Sequence, residues 1–133
     1  MKLAAICIFI VALPHCSKTK SENSPFIPIN ECRNYTLNSE TTRLCFDEVI
    51  TDSRCPHTVD CIWAGTAAAR FTFNKGNESH SIILATNPVA NLYSKDTIVA
   101  GYKIEFIDLQ PYPGTSSNPL PSDRKAEVKL TRL

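Results

Sequence analysis

Beyond the first thirty or so residues, apolar and polar positions alternate in short runs, and turn-forming residues cut each run before it grows long. The clearest run covers 63–74, where Ala67, Ala69, Phe71 and Phe73 fall on one face and Thr66, Ala68, Arg70 and Thr72 on the other. A period of two marks a half-buried strand, because successive side chains leave a strand on opposite sides. Lys75, Gly76 and Asn77 then supply a turn and 80–86 returns as a strand, which predicts a hairpin. Residues 43–50 place Leu44, Phe46 and Val49 at apolar positions, with a break near Asp47 and Glu48 that reads as a bulge. Tyr102, Ile104 and Phe106 repeat the alternation until Pro111 and Pro113 stop it, and Ala126, Val128 and Leu130 alternate with Lys125, Glu127 and Lys129. No helical stripe persists over three turns. The pattern predicts an all-β domain of about six or seven short strands, a single β-sandwich of immunoglobulin-like size, with a small β-barrel as the alternative.

Ahead of this region the pattern changes. Residues 1–15 read as a signal peptide: Lys2 gives the positive start, 3–13 the apolar stretch, and Pro14 the break. The stretch is too short to span a bilayer, which takes about twenty apolar residues. Cys16, followed by Ser17, Lys18, Thr19 and Lys20, resembles the start of a bacterial lipoprotein, in which this cysteine is acylated and becomes the mature N-terminus. Leu13 matches the aliphatic position of that pattern, whereas Pro14 and His15 stand where it has small residues, so unlipidated secretion is the alternative. Residues 17–29 are polar and punctuated by Pro25 and Pro28, so 16–30 is expected to be a flexible tether and 31–133 the β domain. The expected partner of the N-terminus is a membrane, most simply the outer membrane of a cell envelope.

Composition narrows the function. Loss of Lys2 with the signal leaves basic and acidic residues balanced, and a neutral chain lacks the basic face that nucleic-acid binding requires. Setting aside Cys7 and Cys16 leaves Cys32, Cys45, Cys55 and Cys61, which in an exported chain read as two disulfides. Four cysteines permit three pairings; short loop closure favours Cys55 with Cys61 and Cys32 with Cys45. A metal site at Cys55, His57, Asp60 and Cys61 is the rival, but the spacing is not that of a zinc motif and exported thiols oxidise, so no metal and no cofactor is expected. Trp63, just after Cys61, is expected to pack in the core beside the disulfide. Asp52 and Arg54 flank the turn and are placed to pair with each other.

No nucleophile elbow, phosphate loop or dinucleotide fingerprint is present, and the neighbouring carboxylates Asp47 and Glu48 would leave a strand on opposite faces. The chain is therefore expected not to be an enzyme. The proline-rich stretch 110–121, QPYPGTSSNPLP, cannot continue a central ladder and reads as a long connection between strands. Tyr112 within it and Tyr93 are the candidate contact residues for an envelope protein partner.

The run DSRCP, a four-residue spacer and then C-x-W-x-G, spanning 52–65, resembles a family of small bacterial exported lipoproteins. The segments GYKIEFIDLQPYP and RKAEVKL are similar to that family's final strands, so the resemblance extends over most of 31–133. It implies an exported β domain and transfers no catalytic residue. The expected function is a non-catalytic binding or structural lipoprotein of the cell envelope. A secreted protease-inhibitor-like domain, presenting the loop 111–121, and an unrecognised hydrolase are the alternatives.

Overall fold

The structure, a computed structural model, describes residues 24–114 and 119–133. Cys16, the signal segment and the greater part of the expected tether lie outside the described residues. Among the described residues eight strands are formed: β1 (Phe26–Pro28), β2 (Glu31–Leu37), β3 (Glu40–Asp52), β4 (Ala67–Lys75), β5 (Glu78–Ala85), β6 (Asp96–Val99), β7 (Tyr102–Gln110) and β8 (Lys125–Arg132). They make two four-stranded antiparallel sheets, ordered β1-β8-β7-β6 and β2-β3-β4-β5. The sheets do not close on each other, so the architecture is a sandwich and not a barrel.

The alternation seen in the sequence is what fills the space between the sheets. Leu44 and Phe46 of β3 and Ala67, Ala69, Phe71 and Phe73 of β4 face Tyr102, Ile104, Phe106 and Leu109 of β7 and Ala126 and Val128 of β8, all buried. Aromatic rings tie the layers together. Phe71 packs on Phe46 within its own sheet, centroids 5.5 Å apart, and edge-on against Phe106 of the opposite sheet at 5.2 Å. Phe73 meets Tyr102 across the core at 5.5 Å. The expected bulge is present: the β3–β4 register slips between Phe46 and Glu48, and again between Val49 and Thr51. A matching slip between Phe106 and Asp108 in β7 explains why Leu109, not Asp108, is the next inward residue.

At one end of the sandwich the Tyr102 hydroxyl emerges to donate to Glu40 Oε2 at 2.7 Å, and Lys75 Nζ lies 3.2 Å from the same carboxylate. The Tyr102 hydrogen bond, with help from Lys75 and Arg132, holds Glu40 below the ordinary carboxylate range. The rim of β3, β4, β7 and β8 is thereby clasped by polar groups where the apolar core ends.

Two expectations need correction here. The tether was drawn to residue 30, yet Phe26, Ile27 and Pro28 pair with Glu127, Ala126 and Lys125, and Ile27 is fully buried in the core. Two apolar residues between Pro25 and Pro28 show no periodicity, so nothing in the sequence marks them as a strand; the buried isoleucine does. The second is the strand count. Eight strands form instead of six or seven, since β1 and the four-residue β6 are too short to display an alternating pattern.

Candidate functional site at the loop end of the sandwich

Three connections meet at the end opposite Glu40: 53–66 between β3 and β4, 86–95 between β5 and β6, and 111–124 between β7 and β8. Two of them, 53–66 and 111–124, are tied by one buried side chain. Arg54, 5% exposed, donates from Nε to Asp52 Oδ1 at 2.8 Å and from Nη2 to Asp52 Oδ2 at 2.9 Å, a bidentate pair. Its Nη1 reaches the Leu109 carbonyl at 2.6 Å and Asp108 Oδ1 at 3.3 Å on the other sheet. Arg124 Nη1 donates to Asp52 Oδ2 at 2.8 Å, so the start of β8 is drawn into the same network. Burial pushes the Asp52 carboxyl up. The hydrogen bonds and charge of Arg54, with the hydrogen bond from Arg124, outweigh burial and leave it below the ordinary carboxylate range.

Above this network the chain continues as an irregular extension of the β3–β4 hairpin. Ser53 N donates to the Thr66 carbonyl at 2.8 Å and Cys55 N to the Ala64 carbonyl at 3.1 Å. Asn87 Nδ2 caps the Gly65 carbonyl at 2.7 Å, and Thr66 Oγ1 donates to the Asn87 carbonyl at 2.8 Å. Gly65 adopts a φ of +67°, and a Cβ there would run into the Ser53 carbonyl, so only glycine allows the two chain segments to approach. Both expected disulfides are formed. Cys55–Cys61 closes the loop, and Cys32–Cys45 joins directly opposed residues of β2 and β3. Disulfides point to an oxidising extracellular or periplasmic environment. The thiolates that a metal at this loop would need are consumed by the first of them.

Braced in this way, the segment 57–64 is exposed at every residue. Among the described residues its Ile62, 94% exposed, and Trp63, 77%, are the large apolar side chains most open to water, and Val59 beside them is 55% exposed. The expectation that Trp63 fills the core is therefore wrong. The ladder ends at Asp52 and resumes at Ala67, so Trp63 sits four residues outside the sheet, where the opposite layer does not reach. The other two connections add exposed apolar side chains at the same end, Leu92 and Leu120.

Tyr112 is placed by the same loops. Its ring stacks on His57 with centroids 4.0 Å apart and lies 4.3 Å from the Arg54 guanidinium carbon. His57 N donates to the Pro113 carbonyl at 3.4 Å, and Gly114 abuts Pro56. Half-buried in this way, Tyr112 fastens 111–114 to 53–58 and offers only part of its ring to a partner. Tyr93 is likewise half-buried, in a tight loop closed by hydrogen bonds between Val89 and Tyr93 in both directions, at 2.9 and 3.0 Å. Of the two histidines among the described residues, His57 is engaged in stacking and His80 lies 3.4 Å from Glu78 in β5.

Sequence reasoning found the Asp52–Arg54 pair and both disulfides, but missed Asp108 and Arg124, which reach the network from the second sheet. A bulge in β7 and a strand start, each far away in sequence, bring them in, and neither leaves a local signal. The exposed Ile62–Trp63 pair was legible only as composition.

The fold and site define a disulfide-stapled β-sandwich carrying a braced loop with an apolar tip. No family model, curated protein or solved structure matches this chain.

Proposed function

We propose that this protein is a non-catalytic lipoprotein of the cell envelope, anchored through Cys16, whose working surface is the loop end of the sandwich. The observation that carries this reading is the pairing of a rigid base with an exposed apolar tip. Burying two large apolar side chains in contact with something else is favourable by roughly 1.5–3 kcal/mol each, and a loop already fixed in place loses little entropy on contact. A chain selected only for solubility gains nothing from such residues at a loop tip. The lipobox-like start and the oxidised cysteines support an envelope location. Intact-mass analysis of the mature chain from its native host is expected to show an acylated Cys16 at the N-terminus, and Cys16→Ser is expected to move the protein from the membrane to the soluble fraction. A mature chain beginning elsewhere, without acyl groups, would replace the anchor with secretion.

One observation favours a second reading. The Cys55–Cys61 link and the Cys55 N to Ala64 carbonyl bond hold 61–64 on a fixed frame, as a protease inhibitor holds its reactive loop. On that reading Trp63 would fill the specificity pocket of a chymotrypsin-like protease. Tight, slowly reversible inhibition of such a protease supports it; rapid cleavage after Trp63 sinks it.

A further inference from the structure

We infer that Cys32–Cys45 is a thiol-exchange site, opened and closed in the folded domain by an external dithiol, whereas Cys55–Cys61 is a permanent staple. The inference is independent of the anchor and of the loop end.

Backbone pairing sets the two links apart. Leu37 and Glu40 face each other across the two-residue turn Asn38–Ser39, both of positive φ, and residues that flank such a turn form a hydrogen-bonded pair. Counting back along the ladder, Arg33–Leu44 is again a hydrogen-bonded pair and Cys32–Cys45 a non-hydrogen-bonded one. Thr36–Thr41 is a pair of the same kind, and its hydroxyls meet at 3.2 Å. Cα atoms of such a pair lie about 4.5 Å apart, whereas those of a relaxed disulfide lie about 5.5–6 Å apart. The Cys32–Cys45 separation is 3.9 Å, against 5.9 Å for Cys55–Cys61. The first link therefore draws β2 onto β3 more closely than the ladder requires, and a disulfide outside its preferred span is the more easily reduced.

Opening this link leaves the fold standing. Between Cys32 and Cys45 the chain is already closed by the turn and by the ladder pairs from Arg33–Leu44 to Leu37–Glu40. On its other side β3 is paired with β4, and Leu44 and Phe46, which flank Cys45, are buried in the core. Cys55–Cys61 has no such support, because the ladder stops at Asp52 and resumes only at Ala67.

Strand alternation turns both sulfurs of the first link to the outer face, since Leu44, Phe46 and Tyr35 pack toward the core. β2 is an edge strand on which Cys32 is exposed, while Cys45, between β2 and Thr72 of β4, is half-buried. Cys32 is the sulfur within reach. A thiolate of the dithiol attacks Cys32 Sγ, the bond to Cys45 breaks, and Cys45 leaves as a thiolate that takes up a proton. The second thiol then attacks the mixed disulfide, frees Cys32 as a thiol and leaves the dithiol oxidised to its disulfide. Two electrons and two protons pass to the domain, and the reverse sequence closes the link. In an oxidising compartment it stays closed until such a dithiol arrives.

The test uses the oxidised mature chain without denaturant, equilibrated with graded ratios of reduced to oxidised dithiothreitol, quenched in acid, alkylated and mapped by peptide mass. Cys32 and Cys45 are expected to open at a ratio at least about ten-fold lower than Cys55 and Cys61, with the near-ultraviolet circular dichroism unchanged. Brief exposure to reduced glutathione should leave the mixed disulfide on Cys32 and the free thiol on Cys45; the opposite placement overturns the assigned point of attack. Joint opening of the two links, or earlier opening of Cys55–Cys61, overturns the inference. So does opening of Cys32–Cys45 that keeps pace with loss of the near-ultraviolet signal. The double variant Cys32→Ser, Cys45→Ser supplies the second check: a native spectrum supports exchange in the folded state, and an unfolded chain ends it.

Discussion

Asp52 and Arg54 are two residues apart in sequence, yet their pair is the point at which the two sheets and the β3–β4 and β7–β8 connections are tied. Because the folded Asp52 carboxyl titrates below its unfolded counterpart, its contribution is complete above the unfolded value of about 3.9 and is lost as pH falls through the folded one. Stability measured by urea titration between about pH 7 and pH 2 is therefore expected to fall steeply below about pH 4. Asp52→Asn should flatten that limb. It should also lower stability at neutral pH by about 3 kcal/mol, because Arg54 stays buried and charged without its bidentate acceptor. Gly65 is the second residue on which the loop depends. Gly65→Ala meets both a left-handed backbone and the Ser53 carbonyl, and a loss of at least about 2 kcal/mol is expected in thermal unfolding. Trp63 shows the opposite case, since replacing it by serine is expected to leave the melting temperature within about a degree, the mark of a side chain that lies mostly in water.

Among the elements, strands with a one-sided apolar face were read from the sequence, and strands without one were not. β4, β7 and β8 carry three or more alternating apolar residues each, which is enough to fix both type and facing. β2 turns Arg33, Tyr35 and Leu37 inward against Cys32, Asn34 and Thr36 outward, a contrast too mixed to stand out. β1 is a strand because of its place in the sheet. Ile27→Ala is accordingly expected to cost about 2–4 kcal/mol in denaturant unfolding, a loss that a residue in a flexible tether would not produce. The two disulfides close loops of 13 and 6 residues in sequence separation, each expected to contribute about 2–3 kcal/mol through the unfolded chain. They differ in what their removal exposes. Replacing Cys55 and Cys61 together by serine should make 57–64 the first site of chymotrypsin cleavage in the folded protein, whereas replacing Cys32 and Cys45 should lower stability without opening that loop.

At the scale of the whole molecule, the all-β class followed from alternation alone, and the sandwich from the number of such strands. The site was less legible, because it is made of residues that no sheet covers, and the sequence pattern describes only what sheets cover. An apolar Ile-Trp pair after a cysteine reads as core until the register shows that the ladder has already ended. Phe71, which touches Phe46 in its own layer and Phe106 in the other, lies at the centre of the packing, so Phe71→Ala is expected to cost about 3–5 kcal/mol, close to a marginal domain's entire stability.

The pairing of β1 with β8 also has a bearing on how the chain is made. Among the described residues the earliest strand finds its neighbour only in the latest, so the sheet β1-β8-β7-β6 cannot be assembled while the last strand is still inside the ribosome. Such non-local pairings fold slowly. Completion of the sandwich therefore waits on its last strand, and until β8 is in place the apolar face of the β2-β3-β4-β5 sheet, which successive hairpins can build early, has no finished layer to cover it.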